Sequence, residues 1–392
     1  MKNKLDTAAS KRLKRLPLPI FPALASTADR LERQGCDVIR LGQGIPDMPP
    51  PPHVIQALQA SAAKQQDGWP LAPGKRELRE AICRWYRSEQ GVDLDPETEV
   101  AVLPGFRSGW VQLAAALLGP GDAVLAPDPA SPSFAPGIAL AGASSVPMPL
   151  LADNAYLPEL GKISRNQRER AKLMLLGYPA NPAAVLAPAS FFDEAIRFAE
   201  DNKILIVHDF SYGAIGFDGK KPVSFLSRPG AKETGIELYS LSYAYNMAGW
   251  RIGFALGNRK AIRLLNTLQA HAGLGVFGAV QDAAIAALTS SQECVRELAD
   301  LYESRRNALF RDMGRIGWSA APCEGTCYVW VKTPPGFSST RFADLVLRKA
   351  QVMTVPGSGF GGCGEGYVRL GLLTSEERLR EAMRRIQTLS LF

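Results

Sequence analysis

Histidine and cysteine are scarce in this chain. Its 392 residues hold three histidines and six cysteines. The cysteines (Cys36, Cys83, Cys294, Cys323, Cys327, Cys363) are scattered, and Cys323 and Cys327 stand four apart rather than in a CxxC pair. That pattern argues against a zinc centre and against a disulfide framework, and it makes a reducing cytoplasm the expected compartment. No apolar run reaches the roughly 18 residues of a membrane span. Internal repeats, low-complexity tracts and long linkers are missing too. The start is basic (Lys2, Lys4, Lys11, Arg12, Lys14, Arg15) and runs into the apolar stretch Leu16 to Leu24, but Pro17, Pro19 and Pro22 interrupt that stretch. With no small-residue cleavage site, a solvated arm is expected rather than a signal peptide.

What is present is an ordinary globular balance, 46% hydrophobic and 21% charged, enough for a large core and about two domains. The net charge is +7. Basic and acidic residues alternate, as in Arg76-Glu77-Leu78-Arg79-Glu80 and Arg168-Glu169-Arg170. Such alternation reads as solvated helix faces and not as a nucleic-acid surface. A site for phosphates or carboxylates would account for part of the basic excess.

Short apolar runs at Val100–Leu103, Ala123–Ala126, Leu173–Leu176, Ile204–His208, Ile236–Ser240 and Ile252–Leu256 alternate with helical stretches such as Glu77–Tyr86, Gly109–Leu118 and Pro188–Asp201. This predicts an α/β layer fold with a mostly parallel sheet flanked by helices. Beyond about Arg259 the pattern becomes helical and charged. Strand-like pieces follow at Tyr328–Val331, Val352–Thr354 and Tyr367–Leu370, with a final helix over Ser375–Ser390, which predicts a smaller α+β domain. The expected division is an N-terminal arm over 1–45 packing on the small domain, a large domain over 46–270 and a small domain over 271–392.

Several motifs carry chemistry. Leu103-Pro104-Gly105-Phe106-Arg107-Ser108-Gly109 follows a strand and opens a helix, a geometry that offers backbone amides to a phosphate. Asp209 ends the run Ile204-Leu205-Ile206-Val207-His208, where parallel sheets bind ligands. Arg251 brings a fork of donors suited to a dianion. In order along the chain, Gly42-Gln43-Gly44-Ile45-Pro46-Asp47, the strand–Gly–helix segment, Tyr178-Pro179-Ala180-Asn181-Pro182, Asp209-Phe210-Ser211-Tyr212, Ser240 to Gly253 and Glu365-Gly366-Tyr367-Val368-Arg369-Leu370 resemble the class I and II aminotransferases of fold type I. Those enzymes use pyridoxal 5′-phosphate (PLP). The resemblance runs from about Gly42 to Arg369. It implies that Asp209 faces the pyridine nitrogen and that Tyr212 and Asn181 contact the ring oxygen. The phosphate would lie on the amides of Phe106 and Arg107, with Ser240 and Arg251. Arg369 would clamp the substrate carboxylate, Gly44 would close over the substrate, and two copies would form a homodimer.

The chain departs from that pattern at its centre. The segment Ser240-Leu241-Ser242-Tyr243 places Tyr243 where the family has its Schiff-base lysine. A phenol forms no imine, and it could shuttle a proton only with its usual pKa of about 10 much lowered. The nearest lysines, Lys220, Lys221 and Lys232, lie in polar loop-like stretches. Ser131 stands where the family has a stacking aromatic. Trp69 stands where it has a tyrosine reaching the partner's phosphate. Ala183-Ala184 replaces Thr-Gly, so a local change in that turn is expected. The resemblance with its departures implies a divergent aminotransferase-like enzyme acting on an amino acid or related amine. It would bind PLP or pyridoxamine phosphate without a covalent link, and ordinary lysine-dependent transamination is not expected. Two alternatives stay open: a PLP-independent enzyme reusing the anion pocket, and a non-catalytic pseudo-aminotransferase.

Overall fold

The structure, a computed structural model, describes residues 9–17, 19–64 and 72–392. Trp69 lies outside them. The chain enters with a helix over Ile20–Arg33 and a two-residue strand, β1 (Ile39–Arg40). Seven strands then build the large sheet: β2 (Val100–Leu103), β3 (Ala123–Asp128), β4 (Ser144–Pro149), β5 (Ala171–Gly177), β6 (Leu205–Asp209), β7 (Gly235–Ser240) and β8 (Gly253–Gly257). Their order is β2-β8-β7-β6-β5-β3-β4, and β8 alone runs opposite to the other six.

The sequence pattern explains this sheet. Leu173, Leu175 and Val207 face one apolar cluster, while Met174, Leu176 and Ile206 face another. Both faces are therefore covered, and the strands read as continuous apolar runs. Helices over Phe106–Leu117 and Phe134–Ala141 cover the first face, and those over Arg76–Gln90 and Ala189–Asn202 cover the second. Trp110 is fully buried and donates its indole N–H to Phe134 O at 2.8 Å. A Cβ at Gly137 would overlap that indole, so only glycine lets the two helices approach so closely.

A second sheet follows. It contains β9 (Tyr328–Lys332), β11 (Val355–Pro356) and β12 (Tyr367–Gly371), in the antiparallel order β11-β12-β9, while β10 (Val352–Met353) pairs in parallel with β1. The run expected as a strand at Val352–Thr354 holds β10, and Thr354 leads directly into β11 in the other sheet. Arg369 sits on the middle strand, opposite Val355 and Trp330. Helices over Glu293–Arg315, Ser339–Ala350 and Glu376–Gln387 share the apolar cluster of this part, and the helix Gly278–Thr289 packs into the cluster around Val54 and Ile82. The N-terminal helix lies beside this second part through Ala28, Val38, Leu347 and Met353, while Arg15 donates to Gly142 O at 3.1 Å on the large-sheet side.

Candidate active site

Strand polarity assembles the site. β2, β7, β6, β5 and β3 end at one edge of the large sheet, and β8 begins there. Gly253, the first residue of β8, is in register with both Leu103 and Ser240. Gly105, Arg251 and Ser240 are thereby brought to neighbouring positions. Gly105 has φ +78° and precedes the helix Phe106–Leu117, whose first turn has no side-chain cap. A Cβ on Gly105 would overlap the Arg251 guanidinium. Arg251 itself holds φ +55° and donates from Nη1 to Ala248 O at 2.9 Å. The uncapped amides of Phe106 and Arg107, the positive end of the helix dipole and one guanidinium form a cradle that fits a phosphate. Ser240 caps the next short helix, accepting the Ser242 N–H at 3.2 Å and donating to Ser242 Oγ at 2.8 Å. The Arg107 side chain donates from Nε to Ser133 Oγ at 3.3 Å.

One strand further along, Asp209 is buried at the end of β6. Its Oδ1 accepts the Ser211 N–H at 3.0 Å and the Ser211 hydroxyl at 2.5 Å. Burial pushes the carboxyl up to about 6, and the two Ser211 bonds oppose that rise. Asp209, Asn181 and Tyr212 line one cavity together with Ser131, Pro129 and Phe134. Asn181 is its hinge point: Nδ2 donates to Tyr212 Oη at 3.1 Å, and Oδ1 accepts from Arg369 Nη1 at 2.9 Å.

Arg369 is buried, with Nη2 donating to Gly42 O at 3.2 Å. Its guanidinium carbon lies 3.8 Å from the Tyr328 ring centroid, 4.9 Å from Phe360 and 5.3 Å from Phe21. Its Nε is buried without a partner among the described residues. An arginine in an aromatic box with an unused donor fits a carboxylate. The segment carrying Gly42 and Gly44 is fastened by Asp47, which forms a two-bond ion pair with buried Arg305 at 2.9 and 2.7 Å.

Tyr243 sits where these parts meet. Its ring lies against Tyr212, with centroids 4.5 Å apart. Its hydroxyl donates to Gly44 O at 3.4 Å and lies 3.5 Å from Tyr328 Oη. Burial raises the Tyr243 phenol above the ordinary tyrosine value, and it raises Tyr212 and Tyr328 well above it. That is the opposite of what a proton shuttle needs. No lysine is found among the described residues lining the cavity. Lys220 is paired with Glu324 at 2.5 Å, Lys221 reaches Glu89 O at 2.5 Å, and Lys232 reaches Asp93 O at 3.0 Å, all in other surroundings.

Where a changed turn was expected, Ala184 holds the left-handed conformation itself, with φ +58°. Backbone bonds from Ala184 N to Ala180 O at 2.7 Å and from Glu324 N to Ala184 O at 2.8 Å hold it in place. Sequence reasoning missed Phe134, three residues beyond Ser131 and lining the same cavity, and the Phe21, Tyr328 and Phe360 box. Only the proximity of Phe134 to Ser131 was a usable signal.

Among the described residues no helix is long and apolar enough to cross a membrane, and no group of three or more metal-ligating side chains occurs. A family model for aminotransferase class I and II matches residues 36–386. The L-glutamine–4-(methylsulfanyl)-2-oxobutanoate aminotransferase of Bacillus subtilis is 48% identical over 381 residues, covering 97% of this chain and 96% of that protein. An LL-diaminopimelate aminotransferase of Moorella thermoacetica is 41% identical over 379 residues, covering 96% and 97%. Substrate-bound BacF of Bacillus subtilis superposes with a TM-score of 0.95 at 40% identity, covering 98% of each chain.

Proposed function

The chain belongs to the class I and II aminotransferases, and from that premise we propose an aminotransferase-like enzyme that acts on an amino acid or a related amine and holds PLP or pyridoxamine phosphate without a covalent bond. The observation that carries this is the meeting of a phosphate cradle and a buried carboxylate at one edge of the large sheet with an aromatic-boxed arginine from the second sheet, joined through Asn181, beside a cavity lined by no lysine among the described residues.

Each residue has a task in this proposal. The amides of Phe106 and Arg107, Ser240 and Arg251 take the phosphate. Asp209 faces the pyridine nitrogen; its carboxyl, pushed up by burial, gains most from a cationic partner there. Tyr212 Oη accepts from Asn181, which leaves its own proton to be donated to the ring oxygen when the cofactor is present. Arg369 takes the carboxylate of the amino acid, and Gly44 closes beside it. When bound, the cofactor supplies an electron sink for the substrate's α-carbon. Tyr243, at the family's lysine position, stays a neutral phenol near pH 7; it gives the site shape and takes no proton from carbon. The names of the relatives point to α-amino acids and 2-oxo acids as the substrate class. A homodimer belongs to the same proposal: Ile45, Met48 and Phe277 are large apolar side chains that are 65%, 45% and 52% exposed, and a second copy would cover them.

Equilibrium dialysis with PLP and with pyridoxamine phosphate tests it. Saturable binding of one cofactor per chain, reversed by dialysis, is expected. Binding of neither compound at high concentration would remove the proposal in favour of an enzyme using the basic pocket for another anion.

A further inference from the structure

His208 stands one residue before Asp209 on β6, is fully buried, and has no task in the function proposed above. It lies in register with Leu176 on β5 and Glu237 on β7. Its Nε2 accepts the backbone N–H of Tyr178 at 3.2 Å, and its Nδ1 lies 2.9 Å from Glu237 Oε2. Because Nε2 accepts, the ring proton sits on Nδ1 and is donated to Glu237. Glu237 is fully buried and also accepts from Tyr86 Oη at 2.9 Å, Ser224 Oγ at 2.6 Å and Phe225 N at 2.8 Å. Two donors therefore serve each carboxylate oxygen. The carboxylate is fully engaged, and the imidazole tautomer is fixed from behind.

Tyr178 is the first residue beyond β5, where the strand ladder no longer supplies an acceptor for its N–H. Without the imidazole that buried N–H would be an orphan. Three residues later comes Asn181, whose amide joins Tyr212 to Arg369. His208 thus pins the near end of a turn whose far end joins the cavity wall at Tyr212 to Arg369 of the second sheet.

We propose that His208 is a positioning residue: by accepting the Tyr178 N–H it fixes the turn that aims Asn181, and so governs the affinity of the site for the ring hydroxyl of a pyridoxal compound. This rests on the cofactor function proposed above. A merely structural role predicts something different. The Phe192, Phe210 and Phe225 rings pack 5.0, 5.5 and 6.2 Å from the imidazole, and loss of packing there would weaken every ligand alike.

The test compares the unmodified chain with His208→Asn, which keeps a donor toward Glu237 but lacks the distal acceptor, and His208→Gln, which restores an acceptor at the distal position. The probes are PLP and 3-deoxypyridoxal 5′-phosphate, and hydrogen exchange of the Tyr178 amide is read alongside. H208N is expected to weaken PLP about tenfold, the deoxy analogue less than about threefold, and to speed Tyr178 exchange about tenfold. H208Q is expected to stay within about threefold of the unmodified chain in all three. Equal weakening of both ligands, or no weakening in H208N, overturns the proposal. If H208N does not fold, ¹⁵N-histidine spectra of the unmodified chain decide, since only three histidines need assignment. An unprotonated Nε2 that responds to PLP more than to the deoxy analogue supports the role; a protonated Nε2 or an equal response overturns it. If the unmodified chain binds neither compound, the cofactor function fails, and an unprotected Tyr178 amide would sink the His208 anchor separately.

Discussion

At the Asp209 end of the cavity the polar groups are held at 2.5 to 3.2 Å, by Ser211 on the carboxylate, Tyr212 on Asn181 and Tyr178 on His208. Behind Tyr212, the Tyr243 phenol reaches Gly44 O and Tyr328 Oη only at 3.4 and 3.5 Å. One end is a preorganised polar lattice in which each member is fixed by a second. The other is the Tyr243 phenol, packed on the Tyr212 ring and making loose hydroxyl contacts. Preorganised donors give binding and orientation without reorganisation cost. Loosely held phenols give shape and little else. Binding is therefore expected to depend on the first end and to be nearly indifferent to changes at the second.

The largest effect that would sharpen this contrast is at Asp209. Asp209→Asn removes the proposed charge partner of the ring nitrogen and should weaken PLP about a hundredfold, measured by equilibrium dialysis. The same change should stabilise the cofactor-free protein. A carboxyl raised from 3.8 to about 6 binds its proton more tightly when folded. Its contribution to native stability is thus favourable at low pH and is lost as pH rises from about 4 to about 6, a loss on the order of 3 kcal/mol. Denaturant unfolding at pH 4 and pH 8 should show this loss in the unmodified chain and not in the asparagine variant. Arg251→Ala comes next. It should weaken PLP by about ten- to a hundredfold and leave the affinity for unphosphorylated pyridoxal unchanged, which isolates the phosphate cradle. Tyr243→Phe should change PLP affinity by less than about threefold, because only two long contacts are lost. A tenfold loss there would break the contrast between the two ends. The smallest effect is at Ala184, whose left-handed backbone costs roughly 1 kcal/mol that glycine would relieve, partly offset by a more flexible unfolded chain. Thermal unfolding of Ala184→Gly should lie within about 1 kcal/mol of the unmodified chain.

The same contrast explains what the sequence disclosed. Strands buried on both faces appear as plain apolar runs, so β2, β3, β5, β6, β7 and β8 were legible. β4 was not: Ser144-Ser145-Val146-Pro147-Met148-Pro149 is a largely exposed edge strand with two prolines, which carries little periodic signal. Asp209, Asn181 and Tyr212 were named from short motifs, and they line one cavity because β5 and β6 are adjacent and end together. His208 had been only the last letter of an apolar run, since its partners Tyr178 and Glu237 lie 30 and 29 residues away. Asp47 and Arg305, 258 residues apart, gave no local sign of their pairing. Motifs reveal groups that would touch a ligand; the groups that hold them become visible only once the sheet sets their order.

The most direct measurement is borohydride treatment of the PLP-saturated protein followed by intact-mass analysis, with Tyr243→Lys as the control. A cavity that grips PLP without an amine predicts an unmodified mass for the natural chain, full release of PLP on dialysis and a single reduced adduct in the lysine variant. A stoichiometric reduced adduct on one lysine of the unmodified chain, blocked by pyridoxamine phosphate, would contradict it.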